Sequence, residues 1–412
     1  MKRTRVILTV VVVAIVTSAS FLTSQYLLLT GNQVAGKADF YVGVECGYNN
    51  VTLCKALIDK VKDYTNFFII GSTEIVMNAS SLDEICDYAN AAGLHFSVYF
   101  SAFLSYPALG EDNPSSTFPS GNTTMGGYQS LPIGWLKNAT LKYGDSFLGT
   151  YVFDEPGGNQ LDGSTQRVVN VASGCQSVAD AFVGNVSAKI QPYLDANVTT
   201  FTSDYGLYWF DYKAGYDFVL AELGGSACNR QMQISLCRGA ANVQGKDWGT
   251  MITHVSVQEQ IMESGLDLYN DLVLSYDSGA KYAAIFNYAE TGSNPPKSYQ
   301  PSEYGILQDD HFEALKNFWN YVQQNPNKQS SLKADAGFVL PQNFGFGLRG
   351  VQDNIWGIFA GNSSSQAAWT EINNCLSQYG SRLDIMFDDS DFNGSMTEDY
   401  STLIQSNSFD TE

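Results

Sequence analysis

From residue 39 onward, short apolar runs alternate with longer amphipathic stretches. The apolar runs are rich in Val, Ile, Phe and Tyr without a polar residue at every second position, which is typical of strands buried on both faces. They cover residues 40–44, 67–71, 95–100, 148–153, 199–203, 217–221, 249–255 and 282–287, and helical patterns at 53–64, 81–92, 177–194, 258–278 and 311–324 lie between them. Eight strands alternating with helices predict a parallel (β/α)8 TIM barrel over residues 38–327 rather than an open sheet.

The connections of this barrel differ in length at its two ends. Few residues separate a helix from the next strand, whereas the segments 101–131, 156–168 and 288–309, which follow strands, are long. Function on such barrels is built from the strand-to-helix loops at the carboxyl ends of the strands. The Tyr, Trp, Ser, Asn and Gly content of these loops suits a sugar-binding rim, and ordinary surface loops are the alternative.

A second unit follows the barrel. Residues 328–333 form a polar hinge, and the pattern beyond them predicts strands at 337–340, 355–359 and 383–387 with a helix at 365–379. Residues 328–412 are therefore predicted to be a small α/β domain packed on the barrel.

The amino terminus predicts export. Lys2, Arg3 and Arg5 precede residues 6–36, which contain no Asp, Glu, Lys or Arg. This run is long enough to span a bilayer as a helix with its basic flank in the cytoplasm. The alternative is a signal peptide cleaved near residues 17–20, which would leave an exposed apolar terminus. Residues 1–37 are thus predicted to be a membrane anchor or signal segment, and both place the barrel outside the cytoplasm, at the cell surface or secreted.

Sequons and cysteines agree with export. Eight N-x-[S/T] sequons predict a glycosylated surface, at Asn50, Asn78, Asn122, Asn138, Asn185, Asn197, Asn362 and Asn393. Among the 7 cysteines, Cys46 with Cys54 and Cys228 with Cys237 are each close enough in sequence to form a disulfide that closes a short loop. The odd number leaves at least one free thiol or an intermolecular bridge.

The net charge of the chain limits the classes of partner that it can bind. A net charge of −20 repels phosphate backbones and makes nucleic acid an improbable partner. Neutral sugars remain candidates because hydrogen bonds and ring stacking hold them. The three histidines are isolated in sequence, no C-x-x-C occurs, and neither a metal nor another cofactor is expected. The G-x-G-x-x-G match at 345–350 lacks the following helix that a dinucleotide requires, so a tight loop is expected there.

Carboxylates recur where the predicted strands end. They are Glu45, Glu74, Asp154, Glu155, Asp204, Glu222 and Glu290. In a barrel these positions converge on one mouth, where mutual repulsion raises pKa values at a cost in stability unless the site uses them. Cleavage of a glycosidic bond needs one protonated and one ionised carboxyl group.

The segment Tyr-Val-Phe-Asp-Glu-Pro-Gly-Gly at residues 151–158 resembles the Asn-Glu-Pro ending of strand four in the large clan of retaining (β/α)8 glycoside hydrolases. The resemblance spans the barrel through its architecture and this one tripeptide, and it implies that Glu155 is the general acid/base. Two features depart from it. Asp154 replaces the Asn that contacts a sugar hydroxyl, and strand seven, which carries the nucleophile in that clan, ends without a carboxylate around His254.

The second catalytic carboxylate must then come from another strand. Glu222 is the first choice because it ends a buried apolar strand and precedes two glycines, and Glu290 and Glu45 follow in that order. Asp154 either raises the pKa of Glu155 by repulsion or binds a backbone amide. The remaining predicted substrate-binding residues near the mouth are Glu74, Asp204, Tyr205, Trp209 and His254, and each aromatic side chain has barrel packing as its alternative role.

Three functions fit these features. The first is an anchored glycoside hydrolase that cleaves an extracellular glycan, with Glu155 and Glu222 as its catalytic pair. The second is a non-catalytic carbohydrate-binding barrel, which the missing carboxylate on strand seven favours. The third is a structural protein of the cell envelope. The sequence leaves the glycan, the linkage and the oligomeric state open.

Overall fold

Eight parallel strands close into a barrel in the computed structural model, which describes residues 39–47, 50–100, 131–163, 167–170, 173–226, 228–256, 261–287 and 304–406. The strands are β1 Tyr41–Cys46, β2 Phe67–Ile70, β3 His95–Tyr99, β4 Phe147–Tyr151, β5 Thr200–Asp204, β6 Phe218–Leu223, β7 Asp247–Ile252 and β8 Tyr282–Ile285. Each pairs in parallel with its neighbours in sequence, and β8 closes the ring on β1. The predicted (β/α)8 barrel is confirmed.

Helices follow the strands and cover the barrel. They are α1 Val51–Val61, α2 Thr73–Val76, α3 Ala79–Ala91, α4 Leu131–Tyr143, α5 Pro156–Asp162, α6 Cys175–Leu194, α7 Tyr208–Ala214, α8 Arg230–Val243, α9 Gly265–Asp277 and α10 Asp309–Gln324. Side chains cap several of them, because the first N–H groups of a helix lack partners within it. Asn50, Asn78 and Asn229 cap α1, α3 and α8, and Ser264 forms a capping box at α9.

Aromatic rings fill the barrel near the amino ends of its strands. The ring of Phe218 stacks between those of Phe201 and Tyr282, with centroid distances of 4.6 and 4.1 Å, and Tyr282 also stacks on Tyr41 at 5.3 Å. These side chains exclude water from that end of the barrel. Polar chemistry is therefore confined to the opposite end, where the strands terminate.

One of the two proposed disulfides is present. Cys46 at the end of β1 is bonded to Cys54 in α1, so the bridge closes the loop between them. Cys228 and Cys237 are free thiols, which contradicts the second pairing. Cys237 is buried in α8 and its thiol contacts the carbonyl of Val219 in β6, so it faces the barrel wall and not Cys228.

The residues after the barrel form a three-stranded parallel sheet in the order β10–β9–β11. Its strands are β9 Ala336–Leu340, β10 Leu383–Phe387 and β11 Thr402–Gln405, with helices α11 Ser363–Tyr379 and α12 Asn393–Asp399. The predicted strand at 355–359 is wrong. Ile355 makes isolated bridges to Phe346 and Phe359, and Trp356 has a positive φ of 58°, so the chain turns there. The third strand, β11, was missed because it is mostly exposed and lacks a buried apolar pattern.

A buried ion pair joins this sheet to the barrel, and Phe40–Glu412 forms one compact unit. Arg238 of α8 donates from Nε to Asp384 of β10 at 2.7 Å, and its other nitrogens bind carbonyl oxygens that include those of Ser381 and Leu383. Asp384 also accepts from Tyr400 and Asn242, so neither charge is left without partners.

The predicted membrane segment falls in residues 1–37, outside the described residues. Across the part of the chain that the structure describes, no helix is both long and apolar enough to span a bilayer.

Candidate active site

Carboxyl groups from several strands meet at the mouth of the barrel. Glu45 is the penultimate residue of β1, Glu222 is the penultimate residue of β6, and Asp154 and Glu155 follow β4. Glu45, Asp154 and Glu222 are inside the barrel mouth, and the charge of Asp154 acts on both of the others. The predicted convergence of these four acids at the strand ends is what the structure shows.

Glu155 and Glu222 form the central pair. Their side chains hydrogen-bond each other, and this contact raises the pKa of Glu155 and lowers that of Glu222, which makes protonated Glu155 the donor. Burial and then the charges of Glu222 and Asp154 raise the pKa of Glu155 to about 10. Burial raises the pKa of Glu222 to about 7, opposed by hydrogen bonds from Ser203 and Glu155. Glu222 therefore ionises before Glu155, so that above neutral pH the pair holds a proton on Glu155 and negative charge on Glu222.

A row of hydroxyl groups connects Glu222 to Asp154. Ser203 Oγ lies 2.6 Å from Glu222 Oε1 and 2.7 Å from Tyr151 Oη, and Tyr151 Oη lies 2.6 Å from Asp154 Oδ1. Burial raises the pKa of Asp154, while hydrogen bonds from Tyr151 and Tyr99 lower it. The side chain of Asp154 therefore points into the barrel and meets tyrosine hydroxyls.

The backbone that carries Glu155 is unusual. Phe153 and Glu155 have positive φ angles of 54° and 46°, a region that side chains other than glycine seldom occupy. Glu155 is the residue before α5, and Pro156 begins that helix. The turn projects Glu155 over the barrel mouth instead of letting β4 continue, and such local strain is frequent at functional sites.

Asp204 holds this turn in place. Its two carboxylate oxygens accept hydrogen bonds from the N–H groups of Gly157 at 2.6 Å and Gly158 at 2.8 Å, at the start of α5. A side chain at Gly157 would overlap the carbonyl oxygen of Gly206, so the approach requires glycine. Asp204 is fully buried, and it supports the segment bearing Glu155 from beneath.

Glu45 completes the acidic cluster. It is 4% exposed, and burial followed by the charge of Asp154 raises its pKa to about 8, against a hydrogen bond from the backbone of Asn287. A Cβ at Gly71 would lie 2.0 Å from Glu45 Oε1, so this glycine makes room for the carboxyl group. Glu45 is therefore largely protonated at neutral pH and is a neutral neighbour of Asp154.

The remaining predicted residues lie in different surroundings. Glu74 is exposed on the short helix α2. Trp209 is 2% exposed and packs on Phe387 and Phe392 of the second unit, so it has no face open to a sugar. His254 is buried against His311, and burial followed by the charge of His311 lowers its pKa to about 3, which keeps it neutral.

Glu290, the second choice for a catalytic partner, lies outside the described residues. Within the described ranges, no group of three or more His, Cys, Asp or Glu side chains is arranged to hold a metal ion.

A cavity of about 290 Å³ opens beside Glu222, and its lining includes Tyr205, Cys228, Thr253, Leu348 and Arg349. Leu348 and Arg349 belong to the segment before α11, which the sequence did not connect with the site. Arg349 forms ion pairs with Asp162 at the end of α5 and with Asp353, and its guanidinium lies 5.9 Å from the centre of the Tyr205 ring. The second unit therefore supplies one wall of the cleft.

The sequence matches no protein-family model and no curated protein. Among solved structures, a variant of GH5_18 from Streptomyces cattleya in complex with Manb1-4GlcNAc has a TM-score of 0.55 and 12% identity, over 90% of this chain and 99% of that one. GH5_18 from the same organism in complex with GlcNAc has a TM-score of 0.54 and 13% identity, over 89% and 98% of the two chains.

A GH5_18 from Bifidobacterium longum subsp. infantis is similar to the same degree, with a TM-score of 0.53 and 12% identity over 89% of this chain and 97% of that one. The chain thus resembles the GH5_18 glycoside hydrolases in fold across the barrel and the unit that follows it. The resemblance that the sequence predicted, to (β/α)8 glycoside hydrolases, is confirmed at the level of the fold.

Proposed function

We propose that this chain is a glycoside hydrolase with Glu155 as general acid/base and Glu222 as nucleophile. The observation that carries the proposal is the hydrogen bond between these two carboxyl groups, which leaves the proton on Glu155. Cleavage of a glycosidic bond requires this division, because the leaving oxygen must receive a proton while a carboxylate attacks the anomeric carbon.

The contact between the two groups favours retention of configuration. Retaining enzymes hold their carboxyl groups about 5–5.5 Å apart, whereas inverting enzymes need roughly 6.5–9.5 Å to admit a water molecule between them. Carboxyl groups that hydrogen-bond each other are nearer to the first spacing than to the second, so we assign the retaining course. In the first step Glu155 would protonate the leaving oxygen as Glu222 bonds to the sugar, and in the second step Glu155 would take a proton from the incoming water.

The substrate we propose is a neutral glycan. The mouth contains several acids, and Arg349, the one guanidinium that the described residues contribute to the cavity wall, is already paired with Asp162 and Asp353, so an anionic sugar would meet net repulsion. Tyr205 gives the cavity an aromatic side chain of the kind that packs on sugar rings. Because the solved GH5_18 structures contain Manb1-4GlcNAc or GlcNAc, the disaccharide Manβ1-4GlcNAc is the first substrate to test.

We further propose that the barrel lies outside the cytoplasm, held at the membrane by residues 1–37 or secreted. The Cys46–Cys54 disulfide supports an oxidising compartment. The sequon asparagines within the described residues are all exposed, as glycosylation requires; they are Asn50, Asn78, Asn138, Asn185, Asn197, Asn362 and Asn393. Three of them, Asn50, Asn78 and Asn362, cap helices through Oδ1, which leaves Nδ2 for a glycan.

A non-catalytic sugar-binding barrel is the second candidate. The observation that favours it is the end of β7, where Thr253 and His254 stand at the position that carries the nucleophile in the retaining clan. Such a protein would bind the same glycan in the same cleft without cleaving it.

Glu155→Gln and Glu222→Gln separate the two functions. With Manβ1-4GlcNAc as substrate, we expect each variant to lose at least about a hundredfold in release of reducing ends. Binding of the disaccharide, measured by calorimetry, should persist in both variants. Exposed Glu74→Gln is the matched control and should keep wild-type activity. Binding by the wild-type protein without any release of reducing ends would establish the second candidate instead.

A further inference from the structure

Two hydroxyl groups stand between two buried acids at the barrel mouth. Asp154, Tyr151, Ser203 and Glu222 make three successive contacts of 2.6, 2.7 and 2.6 Å, each short enough to require a hydrogen between the oxygens. Tyr151 and Ser203 are buried, so water does not supply these hydrogens. The hydrogens of the two hydroxyl groups can therefore be counted within this row, whose two ends also accept hydrogen bonds from Tyr99 at Asp154 and from Glu155 at Glu222.

Counting these hydrogens shows that Asp154 and Glu222 cannot both be ionised. Were both acids ionised, the Tyr151 hydroxyl would donate to Asp154 and the Ser203 hydroxyl to Glu222, and no hydrogen would remain for the 2.7 Å contact between the two hydroxyl oxygens. Three contacts need three protons, of which the hydroxyl groups supply two. The third must belong to a carboxyl group, so at least one of Asp154 and Glu222 is protonated.

We propose that Tyr151 and Ser203 form a proton-sharing link through which Asp154 holds the proton whenever Glu222 is ionised. In that state Asp154 donates to Tyr151, Tyr151 to Ser203, and Ser203 to Glu222. Protonation of Glu222 reverses the row: the proton of Asp154 passes to Tyr151 Oη, that of Tyr151 to Ser203 Oγ, and that of Ser203 to Glu222 Oε1. No proton is gained or lost, and the negative charge moves to Asp154.

The link between the two acids is argued from the oxygen–oxygen distances alone, whereas its role in catalysis rests on the proposed function. The charge on Glu222 is what a nucleophile requires, and the link makes Ser203 and Tyr151 positioning residues for it. It also gives a reason for an aspartate at position 154, because an asparagine side chain cannot give up a proton to its neighbour. The other titratable groups that act on the row among the described residues include Glu45 of β1, Tyr99 of β3, Glu155 before α5, Asp204 of β5, and Tyr208 and Tyr216.

The test uses the full protein without substrate. Infrared difference spectra recorded against pH report the C=O stretch of protonated carboxyl groups, and Glu222→Gln identifies the band of Glu222. In Ser203→Ala the midpoint of that band should rise by about one pH unit or more, because the ionised form loses a hydrogen-bond donor. In Asp154→Asn it should fall, because the amide carries no negative charge and its N–H group can supply the hydrogen that Tyr151 needs while Glu222 stays ionised.

The double variant distinguishes the link from repulsion through space. Ser203 and Asp154 do not touch, so without the link their effects on the Glu222 midpoint would add. We expect the Asp154→Asn shift to shrink by at least about half in the Ser203→Ala background. Additive shifts, or a midpoint in Ser203→Ala equal to that of the wild type, would overturn the proposal.

Two further variants serve as a control and as a substitute. Ser97→Ala removes another buried serine hydroxyl, on β3, and should leave the midpoint unchanged. Ser203→Gly removes the same hydroxyl and replaces Ser203→Ala in the cycle if that variant does not fold; Tyr151→Phe cannot take this place, because Tyr151 contacts Asp154 directly. Since no substrate is involved, a working link together with no cleavage of Manβ1-4GlcNAc would reject the proposed activity alone.

Discussion

Glu155 donates its carboxyl proton to Glu222, and the two side chains reach this contact from different strands of the barrel. The pair titrates as a unit, with Glu222 losing its proton at about pH 7 and Glu155 at about pH 10. Activity requires ionised Glu222 and protonated Glu155. The dependence of kcat/KM on pH should therefore be bell-shaped, falling below about 7 and above about 10, with Manβ1-4GlcNAc as the substrate.

Glu74→Gln, at an exposed carboxyl group on α2, is the control and should leave both limbs of this profile in place. An enzyme most active near pH 5 that declines through neutrality would contradict the assignment of the ionised role to Glu222.

Stability should depend on pH in the opposite sense to that of most proteins. Burial raises the pKa of Glu45 to about 8 and that of Asp204 to about 8, so both bind protons more tightly in the folded than in the unfolded chain. Their contribution is complete below the unfolded values near 4 and is lost as the pH rises through about 8. We expect the free energy of unfolding in urea to fall by at least about 2 kcal/mol between pH 5 and pH 8.

Glu45→Gln should flatten this dependence, since an amide at that site has no proton to lose. The exposed substitution Glu84→Gln, on α3, serves as its control. A free energy of unfolding that rises from pH 5 to pH 8 would show that these carboxyl groups are ionised and stabilised in the folded protein.

The period of two along each strand explains which site residues the sequence could reveal. Phe201 and Leu220 lie in the barrel core, so Ser203 and Glu222, each two residues further on, also face inward. By the same alternation Asp204 faces outward, which is why it meets the start of α5 and not the cleft. A carboxylate at the end of a strand therefore does not by itself lie inside the barrel mouth. It does so when it is an even number of residues from the apolar positions that face the barrel core.

Contacts between residues that are far apart in the chain could not be predicted from such patterns. The strands of the barrel are predictable because each is a buried apolar run, whereas nothing near Arg349 indicates that it will meet Asp162, 187 residues away in the chain. Trp209 also shows that contacts between distant residues could not be predicted from the sequence. Its position after β5 predicted a sugar-binding aromatic, but the second unit covers it through Phe387 and Phe392.

The wall formed by Arg349 should matter for substrate binding. Arg349→Ala removes the ion pairs to Asp162 and Asp353 and frees the segment that lines the cavity beside Glu222. We expect KM for Manβ1-4GlcNAc to rise roughly tenfold with a smaller change in kcat, because the variant loses cleft shape and keeps the catalytic pair. Arg382→Ala breaks an exposed ion pair with Asp335 elsewhere in the second unit and should leave KM unchanged. If the two variants have equal KM and kcat, Arg349 does not contribute to substrate binding in the cleft.

The attachment of the second unit should depend on Arg238. This guanidinium and Asp384 are 2% and 0% exposed, so loss of either charge leaves the other buried without its partner. We expect Arg238→Met to lower the free energy of unfolding by about 3–5 kcal/mol, measured in urea. Lys55→Met, at the exposed pair with Glu84, should cost no more than about 1 kcal/mol. Replacing both buried charges, as Arg238→Met with Asp384→Leu, should recover part of the loss, since the cost lies mainly in stranding one charge. If Arg238→Met alone is as stable as the wild type, the sheet is held to the barrel by apolar packing and the ion pair contributes only specificity.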